Sequence, residues 1–359
     1  MKAANLRSDI DEVMDRIIRF STNGRVGEAL VMVDASFGSD RKNIKGLDQW
    51  RFPEEMEAYL EQSIQSLEET WARRTGIADD LIPAGYAWYG IAEHSAFVAG
   101  EVGFGTDTSW PHPVLNDYAD LDKLKLDEDN IWLRMVIDGM KYLQERSEGR
   151  FAVKLRGAMA PMDLANALRG NDLFLDIYEN PDELHALLRF CVEAGKWFTS
   201  RQSQAIDTFH GGYISGTDIW MPGNAFGHLS EDASVMCSAE TYREFGKPYT
   251  EALLEPFDRA FMHLHTAGVQ AFEAVTELDK LQFFELAPDP KQPRGVEVYR
   301  NHFDLFKDSV MKLFITFDEI KENIAFLKQA KTALVVDTSS AEEAQAVVDF
   351  VRQEFPIDE

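Results

Sequence analysis

Short runs of apolar, β-branched and aromatic residues recur along this chain, separated by longer stretches whose apolar positions return every three to four residues. The first pattern predicts strands and the second amphipathic helices, so the chain reads as a strand-helix alternation. The strand-like runs fall at 30–34, 84–89, 151–155, 212–215, 261–265, 281–286, 310–315 and 333–337, roughly eight, the number that closes a barrel. Helices are expected over 53–74, which opens with a proline, and over 181–206, which follows Asn180 as a plausible N-cap. Another opens at 238–241, and two late ones cover 318–330 and 341–355. The alternation is most regular in the second half. It predicts an α/β fold of the (β/α)8 TIM-barrel type with an N-terminal helical extension, residues 1–27, ahead of a barrel domain over 28–359. The stretches 100–123 and 216–232, rich in Gly, Pro, Asp and aromatic residues, read as irregular.

Composition narrows the partners. The chain of 359 residues carries 36 Lys+Arg against 62 Asp+Glu, a formal net charge of −26, which argues against nucleic acid and anionic membrane surfaces. Two cysteines, Cys191 and Cys237, are too few for a disulfide framework or a thiolate cluster, and the first twenty residues have no continuous apolar core of a signal peptide. A cytoplasmic protein acting on a small molecule is the expectation.

The chemistry concentrates at Phe261-Met262-His263-Leu264-His265-Thr266-Ala267-Gly268. In a strand, residues i and i+2 face the same side, so His263 and His265 can reach one divalent ion, zinc or a similar metal. A third ligand is needed. Asp337, Glu285 and Asp34 each end or follow a predicted strand, and Asp337 is preferred because the last strand brings it to the same face. A metal-free, hydrogen-bonded substrate pocket is the competing account. Other polar or aromatic residues just beyond strand ends are Arg156, Asp218, Trp220 and Asp289, with Tyr213 within the fourth run. In the loop Gly103 to Trp110, Trp110 offers a stacking surface and Asp107 a carboxylate to bind or protonate a ligand. His228 and His210, beside glycines, remain of interest. Walker, dinucleotide and nucleophile-elbow motifs do not occur.

Phe104 to Asp107, Leu168-Arg169-Gly170 followed by Asn180-Pro181-Asp182-Glu183, Glu231-Asp232-Ala233-Ser234 and His263-Leu264-His265 together resemble the uroporphyrinogen decarboxylase superfamily. The resemblance covers about residue 28 to the end. It implies a (β/α)8 barrel and either tetrapyrrole decarboxylation or methyl transfer between corrinoid proteins and thiols. The arginine-rich R-Q-A-G-R segment of the decarboxylases is missing, since the corresponding region reads Asp34-Ala35-Ser36-Phe37-Gly38-Ser39-Asp40-Arg41-Lys42. The zinc methyltransferases of the superfamily carry His-x-Cys where this chain has His263 and His265, with another cysteine late in the barrel; none follows Cys237 here. The resemblance therefore implies metal-dependent methyl transfer with a corrinoid donor or corrinoid-protein partner, at a site rich in nitrogen and oxygen. His263 and His265, with Asp337 or Glu285, would hold the metal; Asp107 and Asp218 would act on the substrate; Arg156, Trp110, Tyr213 and Trp220 would bind it. Two alternatives stand beside this: a metal-free lyase using Asp107 or Asp34, and a barrel that binds a small molecule without turnover.

Overall fold

The run Ala29-Leu-Val-Met-Val has no polar residue on either face, which suits a strand covered on both sides, and its backbone groups are correspondingly buried in the first strand. The computed structural model describes residues 4–34 and 44–357. The segment 35–43, where the arginine-rich motif of the decarboxylases would stand, lies outside the described residues.

In chain order the strands are β1 (Ala29–Asp34), β2 (Ala84–Gly85), β3 (Val102–Phe104), β4 (Ser109–Pro111), β5 (Ala152–Val153), β6 (Ala158–Met159) and β7 (Gly212–Ile214). They continue with β8 (Trp220–Pro222), β9 (Ala225–Ser230), β10 (Arg259–His265), β11 (Leu281–Ala287), β12 (Val310–Phe314) and β13 (Lys331–Asp337). A seven-stranded parallel sheet runs in the order β1-β13-β12-β11-β10-β9-β6. The fold is thus α/β with a parallel central sheet. Among the described residues the sheet does not form a closed eight-stranded ladder: β2 and β5 make a separate parallel pair, while β3–β4 and β7–β8 are antiparallel hairpins. At its free edge β1 is satisfied by side chains, because the Val31 and Val33 N–H groups donate to the carboxylates of Asp80 and Asp79 at 2.8 and 2.9 Å. Arg74 and Arg7 pair with Asp79 behind them.

Alternate residues of each strand feed two apolar cores. Val31, Met262, Phe284, Leu313 and Leu334 meet the covering helices, whereas Leu30, Met32, Ala84, Ala152, Phe261, Phe283, Val310 and Ala333 meet one another. The helix Ile10–Asn23 puts its buried stripe of Ile10, Val13, Met14, Ile17 and Phe20 into that second cluster. The N-terminal segment therefore packs as part of the same core as the strands. The C-terminal edge of the sheet is left for the polar residues, where His263, Glu285, Lys312 and Asp337 stand. No helix among the described residues is long and apolar enough to cross a membrane.

Several expectations shift. The stretch 216–232 contains β8 and β9, and Gly227 inside β9 is closely packed: a Cβ there would stand 3.2 Å from the Leu155 carbonyl oxygen. The run 84–89 is a strand over two residues only, and 212–215 pairs antiparallel with β8. The expected helix 318–330 is interrupted at Asn323, giving Phe317–Glu322, opened by a Thr316/Glu319 capping box, and Ile324–Leu327. A helix not anticipated, Ile131–Ser147, starts from the Asn130 side chain, which accepts the N–H groups of Trp132 and Leu133.

Candidate metal centre

β10 ends in His263-Leu264-His265, and because β11 lies beside it in parallel register, Glu285 stands opposite His263 and Ala287 opposite His265. The Glu285 carboxylate accepts from His263 Nδ1 at 2.6 Å, which turns Nε2 outward as the free lone pair. Two residues past β11, Asp289 does the same for His265, with Oδ1 2.9 Å from Nδ1. Asp289 is itself fixed by Thr266 Oγ1 at 3.1 Å and the Ala267 N–H at 2.8 Å. The result is two imidazoles whose Nε2 atoms face each other at 3.3 Å.

The third group comes from the loop after β9. Asp232 Oδ1 lies 3.3 Å from His265 Nε2, and ligand atoms of Asp232, His263 and His265 all lie within 4.8 Å of one another. Two nitrogens bound at 2.0–2.1 Å to a tetrahedral zinc would sit about 3.3–3.4 Å apart, so the Nε2 separation already fits the ion. Carboxylates on both Nδ1 atoms are the partners that metal-bound histidines ordinarily have. Without an ion, the same convergence raises the proton affinity of His265: a hydrogen bond donated to Asp232, opposed by burial and assisted by Asp289, pushes its pKa to about 9.

Behind the triad is a buried ion pair. Lys312 Nζ lies 2.5 Å from Glu285 Oε2 and donates to the Thr217 carbonyl at 2.9 Å. Burial alone would raise the Glu285 pKa, but Lys312 and His263 hold it down at about 2. The Asp232 loop has its own anchor in Asp163, which sits in the first turn of the helix Pro161–Arg169. Its Oδ2 accepts from Ser230 Oγ and the Asp232 N–H, both at 2.9 Å, and its Oδ1 from the Ala233 N–H at 2.7 Å.

Three adjoining hollows open at this edge. One of about 520 Å³ is lined by Tyr86, Trp88, Ile91, His94, Arg156, Met159, Thr217, His228, Asp232 and His263. A second of about 410 Å³ shares His263 with it and reaches Glu285 and Asp337, and a third of about 400 Å³ shares Thr217 and includes Asp34, Lys154, Asp218 and Lys312. Arg156 is almost wholly buried, stacked 4.4 Å from the Trp88 ring centre and donating to Tyr86 Oη and the Gly90 carbonyl.

Of the residues expected from the sequence, the structure brings together His263 and His265, with Glu285 one step back as a hydrogen-bond partner. Asp337 lines the second hollow, and the group beside the histidines is Asp232. Arg156 lines the largest hollow; Asp218, at φ +69°, pairs with Lys154 at 2.6 Å in the third. Asp107 and Trp110 lie on the β3–β4 hairpin with exposed side chains, outside the lining of these three hollows. Trp220 is a core residue, its indole N–H donating to the Phe209 carbonyl at 2.8 Å, and Tyr213 packs half-buried against the helix-facing core. Asp232, Asp163, His94, Trp88 and Lys312 were missed. Asp232 carried one usable signal, its position in the Glu231-Asp232-Ala233-Ser234 resemblance.

Comparison with known proteins returns neither a matching family model nor a matching curated protein.

Proposed function

We propose that the chain is a metal-dependent methyltransferase of the uroporphyrinogen decarboxylase superfamily, built on a closed (β/α)8 barrel and using a corrinoid methyl donor. The observation that carries the metal reading is the pair of imidazole Nε2 atoms 3.3 Å apart, each ring locked through Nδ1 by a carboxylate, with Asp232 beside them. Support for barrel closure is the interior cluster, since Ala84 and Ala152 of the separate strand pair join residues of the seven-stranded sheet in one apolar core. The bridge Leu155–Ser215 continues the pair toward β7. Two free, buried cysteines suit a cytoplasmic setting.

Asp232, His263 and His265 would hold a zinc or similar divalent ion and leave a position open toward the largest hollow. The ion supplies Lewis acidity, making an acceptor group nucleophilic at neutral pH. The protein's own residues do the rest. Glu285 and Asp289 keep each imidazole in the tautomer that presents Nε2, and Lys312 neutralises Glu285 so that its charge can remain buried. One carboxylate among three ligands leaves a divalent site with net positive charge, which favours an acceptor in its anionic form. The acceptor would lie along the apolar wall of Tyr86, Trp88, Met159 and Ile91.

The test is metal content by elemental mass spectrometry, on protein purified without chelators, beside the His263→Ala/His265→Ala double variant. Stoichiometric zinc in the parent and none in the variant is expected, followed by loss of the methylcobalamin absorption band when an acceptor is added. Metal-free protein in both cases after reconstitution removes the metal; bound zinc with unchanged methylcobalamin across thiol and hydroxyl acceptors removes the methyl transfer.

A further inference from the structure

The hollow of about 520 Å³ is lined by two histidines that the triad does not use. His94, only 4% exposed, comes from the short helix Glu93–Ala96, and His228 from the middle of β9; their ring centres lie 6.4 Å apart. His94 Nε2 and His228 Nδ1 are buried and have no hydrogen-bond partner in the protein. Both rings line the hollow, and neither has a hydrogen-bond partner in the protein at its other nitrogen, His94 Nδ1 or His228 Nε2, so a ligand's polar atoms can complete the bonding there. The backbone has been shaped around this spot. Gly157, at φ +80°, lets the chain pass so close to His228 that a Cβ would meet its carbonyl oxygen at 2.1 Å.

The opposite wall is aromatic. Tyr86 and Trp88 have ring centres 5.7 Å apart, with Arg156 stacked against both. The guanidinium disfavours a cationic guest, and burial followed by Arg156 holds the His94 pKa well below the usual range, leaving a neutral ring that can give or take a hydrogen bond. A purely aliphatic guest would leave both nitrogens unpaired. The volume of about 520 Å³ is ample for a single substituted ring.

We propose that this cavity binds a planar aromatic molecule bearing a hydroxyl or ether oxygen, the oxygen held by His94 and His228 and the ring lying along Tyr86 and Trp88. This names the substrate class of the site proposed above and rests on that reading for the role of the end nearest Asp232 and His263. Binding itself needs only the cavity.

Titration calorimetry with phenol, toluene and cyclohexanol tests this, each run on chelator-treated and on zinc-supplemented protein. Phenol is expected to bind in both states at least about tenfold more tightly than toluene, which lacks the oxygen, or cyclohexanol, which lacks the aromatic face. The His228→Phe and His94→Phe variants should lose that preference, Trp88→Leu should weaken phenol, and His228→Gln, which keeps a hydrogen-bonding group, should retain part of it. Equal binding of phenol and toluene by the parent protein overturns the proposal, whatever the variants do. So does an unchanged preference in either Phe variant shown by circular dichroism to be folded. A phenol preference without zinc uptake upholds this site and sinks the triad, while zinc uptake without the preference does the reverse.

Discussion

Asp163→Asn should separate metal affinity from stability, because Asp163 holds Asp232, the proposed third ligand, without being one itself. Its carboxylate accepts three hydrogen bonds, from Ser230, Asp232 and Ala233. In the asparagine variant the carbonyl oxygen can keep the Ala233 N–H, and the Ser230 hydroxyl can rotate to accept from the new amide. The Asp232 N–H then faces an NH2 group and is left unpaired, a loss of about 1–3 kcal/mol. A gain offsets part of it. Burial and then the nearby Asp232 push the Asp163 carboxyl up to about 7, so neutralising it removes a repulsion that the fold now carries. The net stability cost is expected to be below about 2 kcal/mol, within the range of about 0.5–3 kcal/mol usual for a point substitution. Zinc affinity, by contrast, should fall about 10- to 100-fold, the usual penalty for losing a residue that orients a ligand. Urea unfolding of the chelated protein gives the first quantity and competition with a chromophoric chelator the second. An unchanged zinc affinity in a folded variant would refute the role of Asp232 as a ligand held by Asp163.

Two further predictions concern the fold. Phe261→Ala, at a fully buried position inside the second core, should cost about 3–5 kcal/mol in urea unfolding; less than about 1 kcal/mol would mean that the strands do not enclose a packed interior. The second concerns Asp176, where burial alone would raise the pKa but hydrogen bonds from Arg169, Asn180 and Tyr118 outweigh it and hold the carboxyl below its ordinary value. Because a depressed carboxyl stabilises above its unfolded value of about 3.9 and stops doing so as pH falls through the folded one, Asp176→Asn should destabilise by about 1.5–3 kcal/mol at pH 7 and progressively less below pH 4. A difference that stays constant from pH 7 to pH 3 would refute the assignment.

The second half of the fold was readable because its strands are long and buried on both faces. β10, β11 and β13 each span seven residues with few polar interruptions, and the expected runs fall within them. In the first half only β1 was readable, at 30–34, because the other strands there are two or three residues long and depend on partners remote in sequence. β1 finishes its edge on the Asp79 and Asp80 side chains, a solution no periodicity can signal. β9 carries a glycine in mid-strand and polar residues at His228 and Ser230, which face the cavity, so a strand that builds the site reads as a loop.

The same reasoning explains which part of the candidate centre was legible. His263 and His265 announce themselves because one strand places both, and their shared direction follows from the two-residue period. Their partners depend on register between strands. Glu285 becomes the orienting carboxylate of His263 only because β10 and β11 are aligned so that these two residues stand opposite each other; a shift of one residue would turn it to the helix-covered face. Asp232 depends on two alignments, the pairing of Ser230 with His263 and the Asp163 carboxylate that turns the chain beyond it. Asp337 is the carboxylate the sequence favours, late in the chain and at a strand end. Yet two strands, β12 and β11, separate β13 from β10, and its last residue pairs with Asp34. What sets the proposed ligand Asp232 nearer the two imidazoles than Asp337 is lateral distance around the sheet, and β9, the neighbour that brings Asp232 into reach, is the strand whose composition concealed it.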